Sequence, residues 1–247
     1  MVLGGAVFFL LATTTTVKAK GRIHGVVNEH PQNRTVNQDY TYTTNNRTIT
    51  ITGYTGLGGA VIIPGTINTL PVTHIGDGAF FSCNRLVSLT ISKNVTNIGN
   101  NAFRSCTGLT NVLIPSNTTS IGDLAFSCCS GLTTVTIPDS VTHIGDSAFA
   151  YCTSLTNIMI PKNLTMISCG SFQYCTHLAN ITIPDKVTNI QFDAFLGCKN
   201  LTGIHFKGNA PNLGSHVFDG SSATIYYMPV TSGWGATFGD RPTTAWK

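Results

Sequence analysis

Six of the eight cysteines recur at a constant interval, and cysteine is the residue type in this chain that could support the widest range of chemistry. The column consists of Cys83, Cys106, Cys129, Cys152, Cys175 and Cys198, each 23 residues after the last. Thiolates bind zinc, form disulfides or act as nucleophiles. A tetrahedral zinc site needs ligands that converge from several directions, whereas a single repeat position gives one straight column. We therefore predict no metal and no cofactor, and interpret the column as small buried hydrophobic side chains.

Two redox alternatives stay open for these cysteines. Thiols on neighbouring coils would lie about 5 Å apart, near the Cα separation of a disulfide, and an exported chain could be oxidised. Cys128 breaks the column, and we expect it to be the exposed, reactive thiol. Eight free thiols titrated in denaturant would exclude any bridge.

Hydrolytic chemistry has less support than thiol chemistry. Serine, histidine and aspartate are all present, but no spacing brings them together as a catalytic triad. His74 and His143 occupy equivalent repeat positions, where other repeats carry Asn, Ser or Met. A position that accepts all of these residues is typical of plain surface, so we predict no catalytic residues.

Repeats are the elements that must position all of these side chains. Phenylalanine and leucine keep the same interval as cysteine: Phe80, Phe103, Phe126, Phe149, Phe172 and Phe195, with Leu86, Leu109, Leu132, Leu155, Leu178 and Leu201. A fixed period between about 20 and 50 residues indicates a solenoid, in which repeats bury their apolar faces only by stacking.

Each repeat contains one clear strand pattern. Leu132, Val135 and Ile137 should point inward while Thr134 and Thr136 point outward, because side chains alternate along a strand. A proline then ends the strand, where the loss of a backbone donor matters least. The proline column is Pro115, Pro138, Pro161 and Pro184.

A second apolar pair and a short turn complete the repeat. In the best-preserved copy, Asp146 precedes Ala148 and Phe149, and a short side-chain oxygen at this position suits the cap of a helical turn. The predicted fold class is a repeat solenoid with a parallel β-sheet and short helical turns.

Composition narrows the classes of partner. Charged residues make up only 10 % of the chain, against roughly 25 % in ordinary soluble domains. The net charge of +4 comes from scattered residues, with no basic run interleaved with aromatic residues. These features argue against nucleic-acid binding.

The N-terminal segment has the pattern of an export signal. Val2 to Ala12 is apolar, and Val17-Lys18-Ala19 offers small residues for a peptidase, so we predict a signal peptide over 1–19. The alternative is an ordinary buried segment. The apolar run is too short for a transmembrane helix, which needs roughly 18 residues, so no stable membrane span is predicted. The polar residues 20–38 are predicted to be a loose linker.

The remaining boundaries follow from where the repeats begin and end. Residues 39–60 are predicted to form an N-terminal β-hairpin cap that turns on Asn45 and Asn46. Such a cap hides the open end of a solenoid. Residues 61–206 are assigned to the solenoid and 207–247 to a C-terminal cap.

The string LTxVxIPxxVTxIGxxAFxxC resembles the BspA-like leucine-rich repeat family, from Val61 to Phe218. The resemblance implies a right-handed curved leucine-rich repeat solenoid and a role in protein binding or adhesion. It also implies a secreted or cell-surface location, in bacteria or some protozoan parasites, and no enzymatic activity. One departure concerns the residue after the strand. Common leucine-rich repeats place an asparagine ladder there, whereas this chain has proline.

The predicted binding surface is the outward face of the strands, with a second aromatic patch at Tyr151 and Tyr174. Leu113 and Met159 would be exposed apolar residues in a polar ladder, which is typical of an interaction patch. The full predicted strand face is Ser88, Thr90, Asn111, Leu113, Thr134, Thr136, Asn157, Met159, Asn180, Thr182 and His205.

The predicted solenoid and its strand face suggest three candidate functions. The first is an exported or cell-surface module that binds a protein or glycan partner through the strand face. The second is a structural spacer of a larger envelope or matrix protein, without a ligand of its own. The third, a solenoid polysaccharide lyase or hydrolase, is disfavoured because the predicted strand face offers no Asp or Glu.

Overall fold

The computed structural model describes residues 39–246, so the signal peptide and linker predicted for 1–38 lie outside the described residues. Within 39–246 the chain forms twenty short strands and no helix. The strands are β1 (Tyr40–Asn45), β2 (Thr48–Tyr54), β3 (Gly59–Ile62), β4 (Thr66–Ile67), β5 (Leu70–Ile75), β6 (Leu86–Thr90), β7 (Asn97–Ile98), β8 (Asn111–Leu113), β9 (Ser120–Ile121), β10 (Thr134–Thr136), β11 (His143–Ile144), β12 (Asn157–Ile158), β13 (Met166–Ile167), β14 (Asn180–Ile183), β15 (Asn189–Ile190), β16 (Gly203–Phe206), β17 (Asn212–Leu213), β18 (Thr224–Tyr227), β19 (Thr237–Phe238) and β20 (Arg241–Ala245).

Successive coils build two parallel ladders, which we call the front and the rear. The front ladder runs β3, β6, β8, β10, β12 and then, in a separate sheet, β14, β16, β18, β20. The rear ladder runs β2, β5, β7, β9, β11 and then, again separately, β13, β15, β17. Thr134 pairs with Asn111 on one side and with Asn157 on the other. The period of the sequence is therefore the length of one coil, which confirms the predicted parallel solenoid.

On the third side of each coil, residues with left-handed backbone angles alternate with right-handed ones. These turns are not the helical turns that we predicted. The amide of Phe103 donates to Ala125 of the next coil at 2.7 Å, while the amide of Arg104 donates to Asn101 at 3.1 Å. Asn101 and Ser105 have φ angles of 55° and 62°. A right-handed helix cannot continue through such left-handed residues, and every second amide is used between coils.

Stacked phenylalanine rings form the centre of the core. Six successive ring pairs from Phe80 to Phe218 have centroids 4.9–6.0 Å apart, with interplanar angles of 23° or less. All seven rings are buried. Because each ring meets its counterpart in the neighbouring coils, the core grows by one layer per repeat, and no coil could bury its ring alone.

The acidic and amide column before the phenylalanines also links coils. The Oδ1 atom of Asn100 accepts the amide N–H of Asp123 at 2.8 Å, and Asp123 accepts that of Asp146 at 2.9 Å. We had expected these oxygens to cap a helical turn in their own repeat. With no helix to cap, they bind the equivalent amide one coil later.

A hairpin covers the N-terminal end of the rear ladder. Strands β1 and β2 pair antiparallel, and β2 pairs in parallel with β5. Asn45 pairs with Thr48, so the two-residue turn is Asn46-Arg47, one residue later than the asparagine pair predicted. The Tyr40 hydroxyl donates to the carbonyl of Ile62 at 2.8 Å, which ties the hairpin to the first front strand.

The coil pattern continues past Phe206, where the sequence pattern placed the end of the solenoid. Strand β17 extends the rear ladder, and β18 and β20 extend the front. The rings of Trp234 and Phe238 then lie 4.9 and 5.8 Å from the ring of Phe206. These two side chains cover the core at this end.

Candidate binding face

The predicted strand-face residues lie together on the front ladder in two parallel rows. Ser88, Asn111, Thr134 and Asn157 are in register in the first row. In these rows Ser88 and His205 are half-buried, and the nine other predicted residues are exposed. The second row is Ile62, Thr90, Leu113, Thr136, Met159, Thr182, His205, Tyr226 and Thr244.

Exposed apolar side chains occupy alternate coils of the second row. Ile62, Leu113 and Met159 are 63 %, 65 % and 66 % exposed, and threonines stand between them. Ile62 was missed from the sequence because an insertion shifts the spacing after the first strand. Its position two residues before Pro64, like Leu113 before Pro115, is the signal that could have identified it.

Threonines just before the strands replace the asparagine ladder of common leucine-rich repeats. The Thr133 hydroxyl donates to the carbonyl of Thr110 at 2.9 Å, and Thr110 donates to Val87 at 3.1 Å. Thr156 repeats the contact to Thr133 at 3.3 Å. These hydroxyls satisfy carbonyls between coils, so the donors that remain for a ligand are those of the outward rows.

A groove of about 770 Å³ crosses the front face. Thr136, Asn157, Met159, Asn180 and Thr182 line it, all of them predicted strand-face residues. Lys207 and Met228 also line it and were not predicted, since both stand where earlier repeats have the strand-ending proline. Methionine adapts its shape to different ligands, which suits a binding groove.

The groove opens where the front ladder is interrupted. Strand β12 pairs with β10 over only two residues and does not pair with β14. On the rear, the interruption comes one coil earlier, between β11 and β13. The two breaks flank the same coil, residues 157–167, which pairs only with the preceding coil on the front and only with the following coil on the rear.

A serine stands in the glycine column at the rear break. A Cβ on Gly145 would lie 2.5 Å from the amide nitrogen of Asp123, far inside contact distance. Ser168 holds the equivalent position one coil later and necessarily carries that carbon. Gln191, one coil later again, also carries this carbon, yet its amide donates to the carbonyl of Ile167 at 2.9 Å and the ladder continues there. What distinguishes Ser168 is its hydroxyl, which donates to the carbonyl of Ile144 at 2.6 Å.

Four charged residues also line the groove: Asp139, Lys162, Asp185 and Lys207. Lys162 Nζ lies 3.1 Å from Asp139 Oδ2, and the Lys162 amide donates to Asp139 Oδ1 at 2.9 Å. These contacts lower the pKa of the Asp139 carboxyl.

Aromatic rings continue the second row at its C-terminal end. His205 stacks on Tyr226 with centroids 4.7 Å apart, and Trp246 meets His205 edge-on at 5.0 Å. His205 was predicted as an individual contact residue, but the structure makes it the middle of a three-ring cluster. Gly203 leaves room for this cluster, since a Cβ there would lie 3.2 Å from the imidazole.

The second patch, Tyr151 and Tyr174, lies beside the turns, where the sequence placed it. The two rings stack at 4.9 Å, and both residues have left-handed backbone, with φ near 60° and 56°. A Cβ on Gly197 would lie 2.4 Å from the ring of Tyr174. The Tyr174 ring therefore lies against the next coil at a position where only glycine leaves room for it.

The cysteine column is reduced and buried for most of its length. All eight cysteines are free, so the disulfide alternative is not realised. Each column thiol from Cys106 onward donates to the phenylalanine carbonyl of the preceding coil, at 3.1–3.2 Å. Burial raises the pKa of the Cys106 and Cys198 thiols to about 12. These thiols act as small core residues with one satisfied donor.

The remaining reactive candidates are scattered. Cys128 is half-buried and contacts Ser127 through Sγ and Oγ at 3.6 Å. His74 contacts Thr73 at 2.8 Å, and His143 is exposed on the rear ladder. Between residues 39 and 246, no group of three His, Cys, Asp or Glu side chains is placed to hold a metal ion.

Comparison with known proteins identifies the family of the chain. The family model for the BspA type leucine rich repeat region matches residues 73–202 and 165–232, with six copies. The chain belongs to this family. No curated protein is significantly similar to the chain. The predicted family resemblance is confirmed.

Two solved structures are similar to the chain in both sequence and fold. A leucine-rich repeat protein of T. pallidum is 33 % identical with a TM-score of 0.70, over 78 % of this chain and 89 % of that one. A leucine rich cell surface protein of Faecalibacterium prausnitzii is 36 % identical with a TM-score of 0.68. That match covers 79 % of this chain and 55 % of the other, so it spans only part of the larger surface protein.

No helix within residues 39–246 is long and apolar enough to cross a membrane.

Proposed function

We propose that this BspA-type repeat protein is an exported or cell-surface module that binds a protein or glycan partner through its front face, without catalysis. The observation that carries the proposal is the exposed, uncharged double row from Ser88 to Thr182, with Leu113 and Met159 projecting from it. Exposed apolar side chains in a polar surface favour an interaction site.

The groove also favours the front face as the binding site. It is lined by five residues of the two rows, and concave sites of several hundred Å³ are typical of ligand binding. A cell-surface location is supported by the F. prausnitzii relative, whose description names it a cell surface protein.

The test is binding of the purified full chain to an array of extracellular-matrix proteins and glycans. A Thr134→Lys, Asn157→Lys double variant places two charges on the front face, and a His143→Lys, Asn189→Lys variant places the same charges on the exposed rear ladder. We expect specific binding that the front variant loses and the rear variant keeps.

Circular dichroism must show that both variants are folded. Binding that survives in the front variant would overturn the proposal. The absence of any array ligand for the wild-type chain would favour the structural spacer.

A further inference from the structure

The apolar side chains of the second row have a regular spacing. Ile62, Leu113 and Met159 stand two coils apart, with Thr90 and Thr136 between them. Neighbouring strands are about 4.7–4.9 Å apart, so exposed apolar groups recur about every 9.4–9.8 Å across the strands. A linear partner that contacts all three must present apolar groups at the same interval.

This interval distinguishes between the regular backbone conformations. A polyproline II helix has three residues per turn and rises about 3.1 Å per residue, so its side chains return to one face about every 9.3 Å. An α-helix returns to one face after seven residues, or about 10.5 Å, and a β-strand after two, or about 6.7 Å. From Ile62 to Met159, the polyproline II repeat stays within about 1 Å of the row, whereas the α-helical repeat drifts by about 1.4–2.2 Å.

The charge of the face also suits such a partner. The two rows from Ser88 to Thr182 contain no Asp, Glu, Lys or Arg. The four charged residues that line the groove are two aspartates and two lysines, Asp139, Asp185, Lys162 and Lys207, so the face offers no net charge to attract a charged ligand. The side chains of a proline-rich segment are uncharged, so such a partner matches the front face in charge.

Free amide donors on the face can serve the ligand backbone. The side chains of Asn157 and Asn180 make no hydrogen bond within residues 39–246, and both line the groove. A polyproline II backbone has no internal hydrogen bonds, so its carbonyls need outside donors. Amides at regular positions along the first row can provide them.

The groove supplies apolar contacts, and the aromatic contacts come from the part of the second row that follows it. Met159 and Met228 line it, and the stacked rings of His205 and Tyr226 continue the row beyond Thr182. Domains that recognise polyproline II segments use grooves lined by aromatic and apolar side chains.

We propose that the front face binds an uncharged polyproline II segment laid across the strands, with an apolar side chain at every third residue seated along Ile62, Leu113 and Met159. This proposal rests on the proposed function, because it names the chemistry of the partner for the same face.

The experiment uses three capped, fluorescein-labelled peptides with the full chain, read by fluorescence anisotropy. The first peptide is five repeats of Leu-Pro-Pro. The second has the same composition with its leucines at irregular intervals. The third is an alanine-rich helix with leucine at every seventh residue. We expect saturable binding of the first peptide that is at least tenfold tighter than that of the other two.

Two protein variants locate the contact. Leu113→Thr with Met159→Thr installs the residue that alternate coils already carry in this row, so folding should be preserved. Met166→Asn is the matched control on the rear ladder, where equivalent positions carry asparagine. We expect at least tenfold weaker binding of the first peptide for the double variant, and no change for the control.

Equal affinity for the first two peptides, stronger binding of the helical peptide, or an unaffected double variant would each overturn the proposal. No binding of the first peptide would also overturn it. If an array ligand sensitive to Thr134→Lys and Asn157→Lys were still found, the proposed function would stand and only the polyproline II assignment would fall.

Discussion

The Ser168 hydroxyl donates to the Ile144 carbonyl at 2.6 Å, in a place where neighbouring coils use a backbone amide. Gly122 and Gly145 make the corresponding bonds through their N–H groups, at 2.8 and 2.9 Å. The rear ladder is continuous through these glycines and stops at Ser168. Gln191 also adds a side chain at this column, yet its amide keeps the ladder bond to Ile167 at 2.9 Å. The hydroxyl of Ser168, which occupies the Ile144 carbonyl, is therefore what distinguishes the break.

Replacing Ser168 with glycine should join β11 to β13. The amide could then approach Ile144 as Gly145 approaches Ile121, so amide hydrogen exchange at 166–168 should slow at least tenfold. The free energy of unfolding should change by no more than about 1 kcal/mol, because the regained ladder bond is offset by the lost hydroxyl bond and by glycine's flexibility.

The reverse change supplies the control. Gly145→Ser should open the rear ladder one coil earlier and accelerate exchange at 143–145. Unchanged exchange in both variants would show that the residue in the glycine column does not set the break.

The buried thiols predict a specific alkaline instability. Burial raises the pKa of Cys106 and Cys198 from an ordinary value of 9.0 to about 12. Below pH 9 both states keep these protons, so the two thiols leave stability independent of pH. Between pH 9 and 12 only the unfolded chain loses them, and stability should fall by about 1.4 kcal/mol per pH unit for each thiol.

Urea unfolding measured from pH 7 to 11 tests this expectation. A Cys106→Ala, Cys198→Ala variant should lose stability less steeply above pH 9 than the wild type, although it starts from a lower value. Identical slopes for the two proteins would contradict the assignment.

The phenylalanine stack should dominate the stability of the middle coils. Phe126 is fully buried between Phe103 and Phe149, at centroid distances of 5.1 and 5.3 Å. Phe126→Ala should lower the free energy of unfolding by about 3–5 kcal/mol, because it leaves a cavity and removes two ring contacts. Urea denaturation gives the measurement.

Phe81 provides the matched control for this truncation. It is 53 % exposed and lies next to the stacked Phe80 in the sequence. Phe81→Ala should change stability by no more than about 0.5 kcal/mol. Similar losses for the two variants would mean that ring stacking is not the source.

The sequence predicted the solenoid and its front rows because the 23-residue period fixes register directly. Thr134 and Asn157 lie together since one coil separates them. The turns were mispredicted as helical because hydrogen bonds between coils determine their shape. Left-handed φ angles at Leu124 and Cys128 have no signal in residue type.

The groove was beyond sequence reasoning for a different reason. It lies where coil 157–167 loses its front pairing with the next coil, and no single repeat encodes that interruption. Lys207 and Met228 reach it from later coils in which the proline column has ended. Ser168 is visible as a departure from the glycine column, but its effect follows only from the distance between coils.

Gly197 is predicted to hold the tyrosine pair in place. Its φ is 71°, and a Cβ there would lie 2.4 Å from the Tyr174 ring. Gly197→Ala should displace Tyr174, weaken its 4.9 Å stack with Tyr151 and destabilise the fold by about 1–2 kcal/mol through backbone strain. Near-ultraviolet circular dichroism should show a reduced tyrosine signal.

Gly59→Ala separates the two causes, because Gly59 has a similar φ of 76° but a Cβ there would meet no atom within 4 Å. This variant should show the strain alone, with a similar loss of stability and an unchanged tyrosine signal. If both alanine variants reduced the signal equally, the contact between Gly197 and Tyr174 would not be what orients the ring. If neither did, Tyr174 would be held by its stack with Tyr151 without support from the next coil.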